Sequence, residues 1–151
     1  MLLRAMVGFM LSLLCAPALA YNCDISATPL NFGSLEGIAG RVRLSTATLT
    51  VVCRTGNAPA NVNYQILIDN PAGNAEHQMT AGNHNAGYQL YTSESYQEIW
   101  SNTGSGIVSD SYSLAANSSV SRTYTIYAKM KIDREDLPGT YIANFTAQLL
   151  Y

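Results

Sequence analysis

The sequence predicts an all-β sandwich. Apolar and polar residues alternate with period two over several stretches, clusters of Gly, Pro and Asn separate those stretches, and no helical period of useful length occurs. The 151 residues fit one domain of ordinary size. Only 12% of them are charged and 48% are hydrophobic, so Ser, Thr, Asn, Gln and Tyr must wet the surface in place of ion-pair arrays. Eight Lys plus Arg, scattered singly in a chain of net charge −2, cannot build the cationic footprint that phosphate backbones require. Nucleic acid is not an expected partner, and disorder is excluded by the high apolar fraction.

Residues 1–20 are expected to be a secretory signal peptide, and 21–151 the mature domain. Met1 to Arg4 form a cationic start, Ala5 to Cys15 an apolar run, and Ala18-Leu19-Ala20 a small-residue cleavage site before Tyr21. The apolar run is shorter than the ~20 residues a bilayer-spanning helix needs, so no membrane span is expected. A lipoprotein acylated on Cys15 is the weaker alternative, because Leu14 stands where a small residue belongs. Cleavage removes Arg4 and Cys15, leaving seven Lys plus Arg against ten Asp plus Glu, and two cysteines, Cys23 and Cys53. In an exported protein such a pair is most simply a disulfide. A zinc site would need two further soft ligands, and the candidates, His77 and His84, stand in a Gly/Asn-rich stretch that reads as a solvated loop.

The strands follow in order. Residues 23–33 form an opening segment. Residues 44–53 place Ala47, Leu49, Val51 and Cys53 on one face, and 61–69 do the same with Val62, Tyr64, Ile66 and Ile68 before the turn signal Asn70-Pro71-Ala72-Gly73. Residues 88–92 give a shorter strand, after which Trp100 is expected to plug one end of the core. From 120 to 132, Tyr124, Ile126, Ala128, Met130 and Ile132 oppose Thr123, Thr125, Lys129 and Lys131. Beyond Pro138-Gly139, one strand is expected over 141–151. That makes about six main strands, whereas the simplest immunoglobulin-type sandwich has seven. Either a strand is missing, which would leave an unpaired edge open to another chain's strand, or a short one hides in 101–119 and closes the sheet internally.

Five short motifs in order resemble a known family. Cys23-Asp24-Ile25-Ser26-Ala27-Thr28-Pro29-Leu30-Asn31-Phe32-Gly33 is similar to the opening of the spore coat protein U domain, shared with subunits of archaic chaperone–usher pili. Val51-Val52-Cys53, Tyr88-Gln89-Leu90-Tyr91, Ile99-Trp100 and Pro138-Gly139-Thr140-Tyr141 resemble its later motifs, so the likeness covers residues 23–151. The resemblance implies an incomplete immunoglobulin-like, pilin-type β-sandwich lacking one strand, with Cys23 and Cys53 as the family's disulfide. It implies as partners a periplasmic chaperone, an outer-membrane usher and a neighbouring pilin subunit that donates a strand, and export through the periplasm to the cell surface. Tyr141, Ala143, Phe145, Ala147, Leu149 and Tyr151 would line the groove. The family often has an Asp after the Pro-Gly-x-Tyr turn where this chain has Asn144. Shaft subunits carry about ten alternating residues before the first cysteine, whereas the expected mature chain offers Tyr21 and Asn22, which points to a tip or terminal subunit in surface attachment or biofilm.

No Gly-x-Ser-x-Gly elbow, phosphate-binding glycine loop or His-Glu-x-x-His motif occurs, so neither an enzyme nor a cofactor is expected. Asp133, Glu135 and Asp136 lack the oxygen ladder of a calcium loop. Among ten tyrosines, Tyr96 and Tyr112, with Trp100, lie in the loop-rich middle and are the candidates for an adhesive surface toward a glycan or other receptor. The alternative reading is a free-standing secreted lectin-like module that closes itself.

Overall fold

The computed structural model describes residues 20–35, 41–69, 76–81, 84–132 and 138–151. Residues 1–19 of the expected signal peptide, the turn signal Asn70-Pro71-Ala72-Gly73 and the acidic stretch 133–137 lie outside them. Among the described residues ten strands are present: β1 (Tyr21–Ala27), β2 (Leu30–Leu35), β3 (Val42–Thr55), β4 (Ala60–Ile68), β5 (His77–Ala81), β6 (His84–Tyr91), β7 (Val108–Leu114), β8 (Ser119–Lys131), β9 (Gly139–Ala143) and β10 (Ala147–Leu150). All pairings are antiparallel, in a five-stranded sheet of order β1-β3-β8-β6-β5, a three-stranded sheet β10-β4-β7 and a two-stranded sheet β2-β9.

The long strands follow the alternation in the sequence. Inward residues of β3 and β4 are almost completely buried: Ala47, Leu49, Val51 and Cys53 on one, Val62, Tyr64, Ile66 and Ile68 on the other, each no more than 1% exposed. Ile126, Ala128 and Met130 of β8 join the same core. Pairing register keeps the set in phase, with Ala47 opposite Ile126. Slipping by one residue would turn every one of these side chains to water. Trp100 is 1% exposed and belongs to this core. Its backbone N–H donates to the Leu90 carbonyl at 2.9 Å, which folds the 92–100 loop back on β6.

Four expectations are corrected. The opening segment is two strands, because the chain leaves β3 at Thr28-Pro29 and pairs next with β9. Proline has no N–H to continue a ladder. A bulge between Asn31 and Gly33 follows, with Gly33 at φ 74° and its N–H bonded to Asn31 Oδ1 at 2.8 Å, a conformation that glycine adopts without strain. The last segment also divides, into β9 and β10, with the bend at 144–146 held by the Asp69 N–H on the Thr146 carbonyl at 3.0 Å. The histidine stretch is a hairpin, in which His77 begins β5, His84 begins β6, and β6 is carried by β8. His77 is therefore no solvated loop residue: it is 6% exposed and stacks on Tyr88, ring centroids 5.2 Å apart.

The fourth correction concerns 101–119. A strand does hide there, β7, but it pairs with the side of β4 remote from β10, so it does not close the β10 edge. Beyond its end, Asn102 stands in for a strand residue: its amide donates to the Ile68 carbonyl at 2.7 Å and accepts from the Ile68 N–H at 3.0 Å.

Cys23 and Cys53 form a disulfide between directly opposed positions of β1 and β3, 30 residues apart in sequence. A loop of that length is worth ~3–4 kcal/mol in the chain-entropy account. The Cys23→Ser, Cys53→Ser double variant is expected to lose about 2–5 kcal/mol in urea unfolding, and reductant should shift the wild-type midpoint while leaving the variant's unchanged.

Candidate functional site

The site is a seam between two strand edges. β1 alternates Tyr21, Cys23 and Ile25 toward the interior with Asn22, Asp24 and Ser26 toward solvent. β10 does the same, with Ala147 and Leu149 inward and Gln148 and Leu150 outward. β1 is hydrogen-bonded to β3 and β10 to β4, each along one side only. Their other edges face each other, and among the described residues no strand lies between them. Tyr21, Ile25, Phe145, Ala147 and Leu149 are correspondingly only partly buried, although they pack against the core. That contrasts with the near-complete burial of inward residues on β3 and β4.

The seam is closed at both ends. At one, β2 and β9 pair directly, with Leu30 opposite Ala143. At the other, the Tyr21 and Tyr151 rings meet with centroids 5.5 Å apart. The Tyr151 hydroxyl donates to Asn22 Oδ1 at 3.0 Å and accepts from the Cys23 N–H at 3.4 Å. Tyr21 reaches across the layers, where its hydroxyl donates to the Asn63 carbonyl at 2.9 Å. The Tyr151 side chain thus ties the end of the chain to β1 here without any strand pairing, leaving the backbone edge of β10 a template for further pairing.

Of the groove residues expected from the sequence, Phe145, Ala147, Leu149 and Tyr151 stand at this seam. Tyr141 and Ala143 do not: each is 1% exposed on β9, where β2 already covers them. The β1 contribution, Tyr21, Asn22 and Ile25, was missed, although the period-two pattern of that segment placed Ile25 on the same face as Cys23. Tyr96, Trp100 and Tyr112 form no common surface. Trp100 is core, which withdraws it from the adhesive set. Tyr96, at φ 53°, stands edge-on between Tyr91 and Tyr127 with Lys129 Nζ 5.6 Å from its ring. Tyr112 lies on β7, with its ring edge to Tyr64 and Arg122 over its face at 4.9 Å.

A polar network crosses the layers near β7. The Tyr124 hydroxyl donates to Asp110 Oδ2 at 2.8 Å and is 2.6 Å from the Tyr64 hydroxyl, while Arg122 Nε lies 3.8 Å from the same carboxylate oxygen. Burial, followed by the hydrogen bonds with Tyr64 and Asp110, pushes the Tyr124 phenol far above its ordinary pKa. Among the described residues no group of three His, Cys, Asp or Glu is placed to hold a metal ion, and no helix is long and apolar enough to cross a membrane.

Two pH dependences follow. Tyr124 keeps its proton in the folded state to higher pH than in the unfolded one, so its contribution is complete below about pH 10 and lost as pH rises further. Tyr124→Phe is expected to cost about 1–2 kcal/mol near neutrality and to flatten the alkaline decline in a urea-unfolding series. Burial holds the His77 pKa below 6.5, with Asp69 opposing, so its contribution is complete above about 6.5 and lost as pH falls through the folded value. His77→Gln should flatten the acid decline measured the same way.

A family model described as Spore Coat Protein U domain matches residues 10–148, beginning inside the segment expected to be cleaved. No curated protein sequence matches the chain. The matching family is a structural, pilin-type one of chaperone–usher pilus and coat subunits.

Proposed function

The chain belongs to the Spore Coat Protein U domain family, and from that premise we propose that it is an exported structural and adhesive subunit completed by a β-strand borrowed from a partner. The partners are a periplasmic chaperone, an outer-membrane usher and a neighbouring subunit. The leader 1–20 directs export, and the folded domain passes through the periplasm to the cell surface. One observation carries the reading: inward apolar residues remain half-buried where the β1 and β10 edges of the sandwich face each other unpaired.

An extended donor laid along β10 would add main-chain hydrogen bonds to its open edge and place alternate side chains against Ile25, Phe145, Ala147 and Leu149. Completing the burial of the three larger half-covered side chains, Ile25, Phe145 and Leu149, is worth about 2–4.5 kcal/mol, taking half of 1.5–3 kcal/mol for each. That is a large share of the ~5–15 kcal/mol that holds a domain folded. A terminal place in the fibre forms part of the proposal. Its support is that Tyr21 and Asn22 are engaged within β1, opposite Thr55 and Arg54, and so are not free to serve as a donor segment.

Coexpression with the cognate chaperone tests the reading. The wild-type chain should be recovered in a one-to-one complex with it, and alone should be degraded or aggregate. Leu149→Asp, which puts a charge on the groove floor, should reduce capture by at least about tenfold. Leu150→Asp, on the outward face of the same strand, should leave capture unchanged. Accumulation of a stable monomer without chaperone would instead establish a self-closed module.

A further inference from the structure

Between the β5–β6 hairpin and the β9–β10 bend, the structure holds a hollow of about 350 Å³ with Phe145 in its lining. Asp69 follows β4 and is fixed to the β9–β10 bend by its N–H on the Thr146 carbonyl, at 3.0 Å. Asn144 and Thr146 in that bend, and Gln78 on β5, supply exposed polar side chains around the opening. Its floor is the His77–Tyr88 stack, directly opposed across β5 and β6 and almost fully buried. A second hollow of about 410 Å³ adjoins it, sharing Asp69 and Thr146 and reaching Gln148. Both volumes fall within the range of small-molecule sites.

We propose that this hollow binds a neutral saccharide, with an adjacent sugar unit of the same glycan in the second hollow. The lining fits vicinal hydroxyls, which both donate and accept. Asp69 accepts, the amides of Asn144 and Gln78 do both, and the Thr146 hydroxyl does both. Among the described lining residues Asp69 carries the one formal charge, and it is negative, so an anionic ligand would be repelled. Lowering of the His77 pKa by burial adds no cation near neutrality. The stacked floor cannot rearrange cheaply, so the polar groups are held before the ligand arrives, which reduces the entropic cost of binding. Phe145 borders both this hollow and the seam, whereas the polar groups of Asp69, Gln78, Asn144 and Thr146 are not among the side chains that a borrowed strand would pack against. The site deepens the surface-attachment part of the proposed function and rests on it only for where the ligand is met.

The test is saturation-transfer NMR with the full exported chain, in the assembled form in which it is recovered. The probes are the methyl glycosides of glucose, galactose, mannose and N-acetylglucosamine, with cellobiose as a two-unit probe and methyl glucuronide as an anionic one. At least one neutral probe should give saturable transfer, with a dissociation constant on the order of 1 mM. Affinity should fall about tenfold in Asp69→Asn and in Asn144→Ala, and stay unchanged in Ser111→Ala on β7. All three replaced side chains are exposed. Should Asn144→Ala fail to be exported, Gln78→Ala takes its place. The site is overturned by absence of saturable transfer from every neutral probe, by binding of the glucuronide alone, or by equal affinity in all variants. None of these outcomes bears on chaperone capture, so failure here and failure of the borrowed-strand reading are separable.

Discussion

The structure depends on a change of partner by one short stretch of chain. Up to Thr28 the first strand is bonded to β3, and after Pro29 the chain pairs with β9 instead. Had β1 continued along the β9–β10 edge, it would have covered Phe145, Ala147 and Leu149 and completed the sandwich from within. The disulfide removes that option. Fastened to Cys53, Cys23 holds β1 in the five-stranded sheet, so the unpaired edge of β10 is built into the covalent structure and does not depend on a weak contact.

Because charged residues are few, apolar burial and hydroxyl hydrogen bonds take over the work of specifying partners between layers. Tyr64, Asp110 and Tyr124 show how. Each comes from a different strand, and Tyr124, itself bonded to the Tyr64 hydroxyl, donates to the carboxylate. Tyrosine suits this role, since its ring fills core volume while its hydroxyl reaches a polar partner. Tyr21 and Tyr151 do the same at the end of the seam. Much of the tyrosine content is thereby structural, and no common adhesive surface emerges from Tyr96, Trp100 and Tyr112.

The alternation of 44–53, 61–69 and 120–132 made β3, β4 and β8 legible, because each has one face wholly in the core. β7 was obscured by Asp110, a carboxylate on the inward side of the strand, where it accepts from the Tyr124 hydroxyl and has Arg122 beside it. β5 was obscured by its Gly/Asn-rich surroundings, whose poor strand propensity is overridden by pairing with β6. The break within 141–151 left the period-two pattern intact, so Tyr141 and Ala143 looked equivalent to Ala147 and Leu149. They differ only in what lies above them.

From residue order alone came the all-β class, the disulfide pair, the family and the inward faces of the long strands. These follow from local periodicity and from which side chains water rejects, and both are properties of the sequence itself. Only the folded chain decided which inward residues are covered and which are left at an open edge. It also decided that His77 is buried and that Asp69, Asn144 and Thr146 surround one hollow. Those outcomes depend on which strand lies beside which, and that is fixed by contacts between residues far apart in sequence.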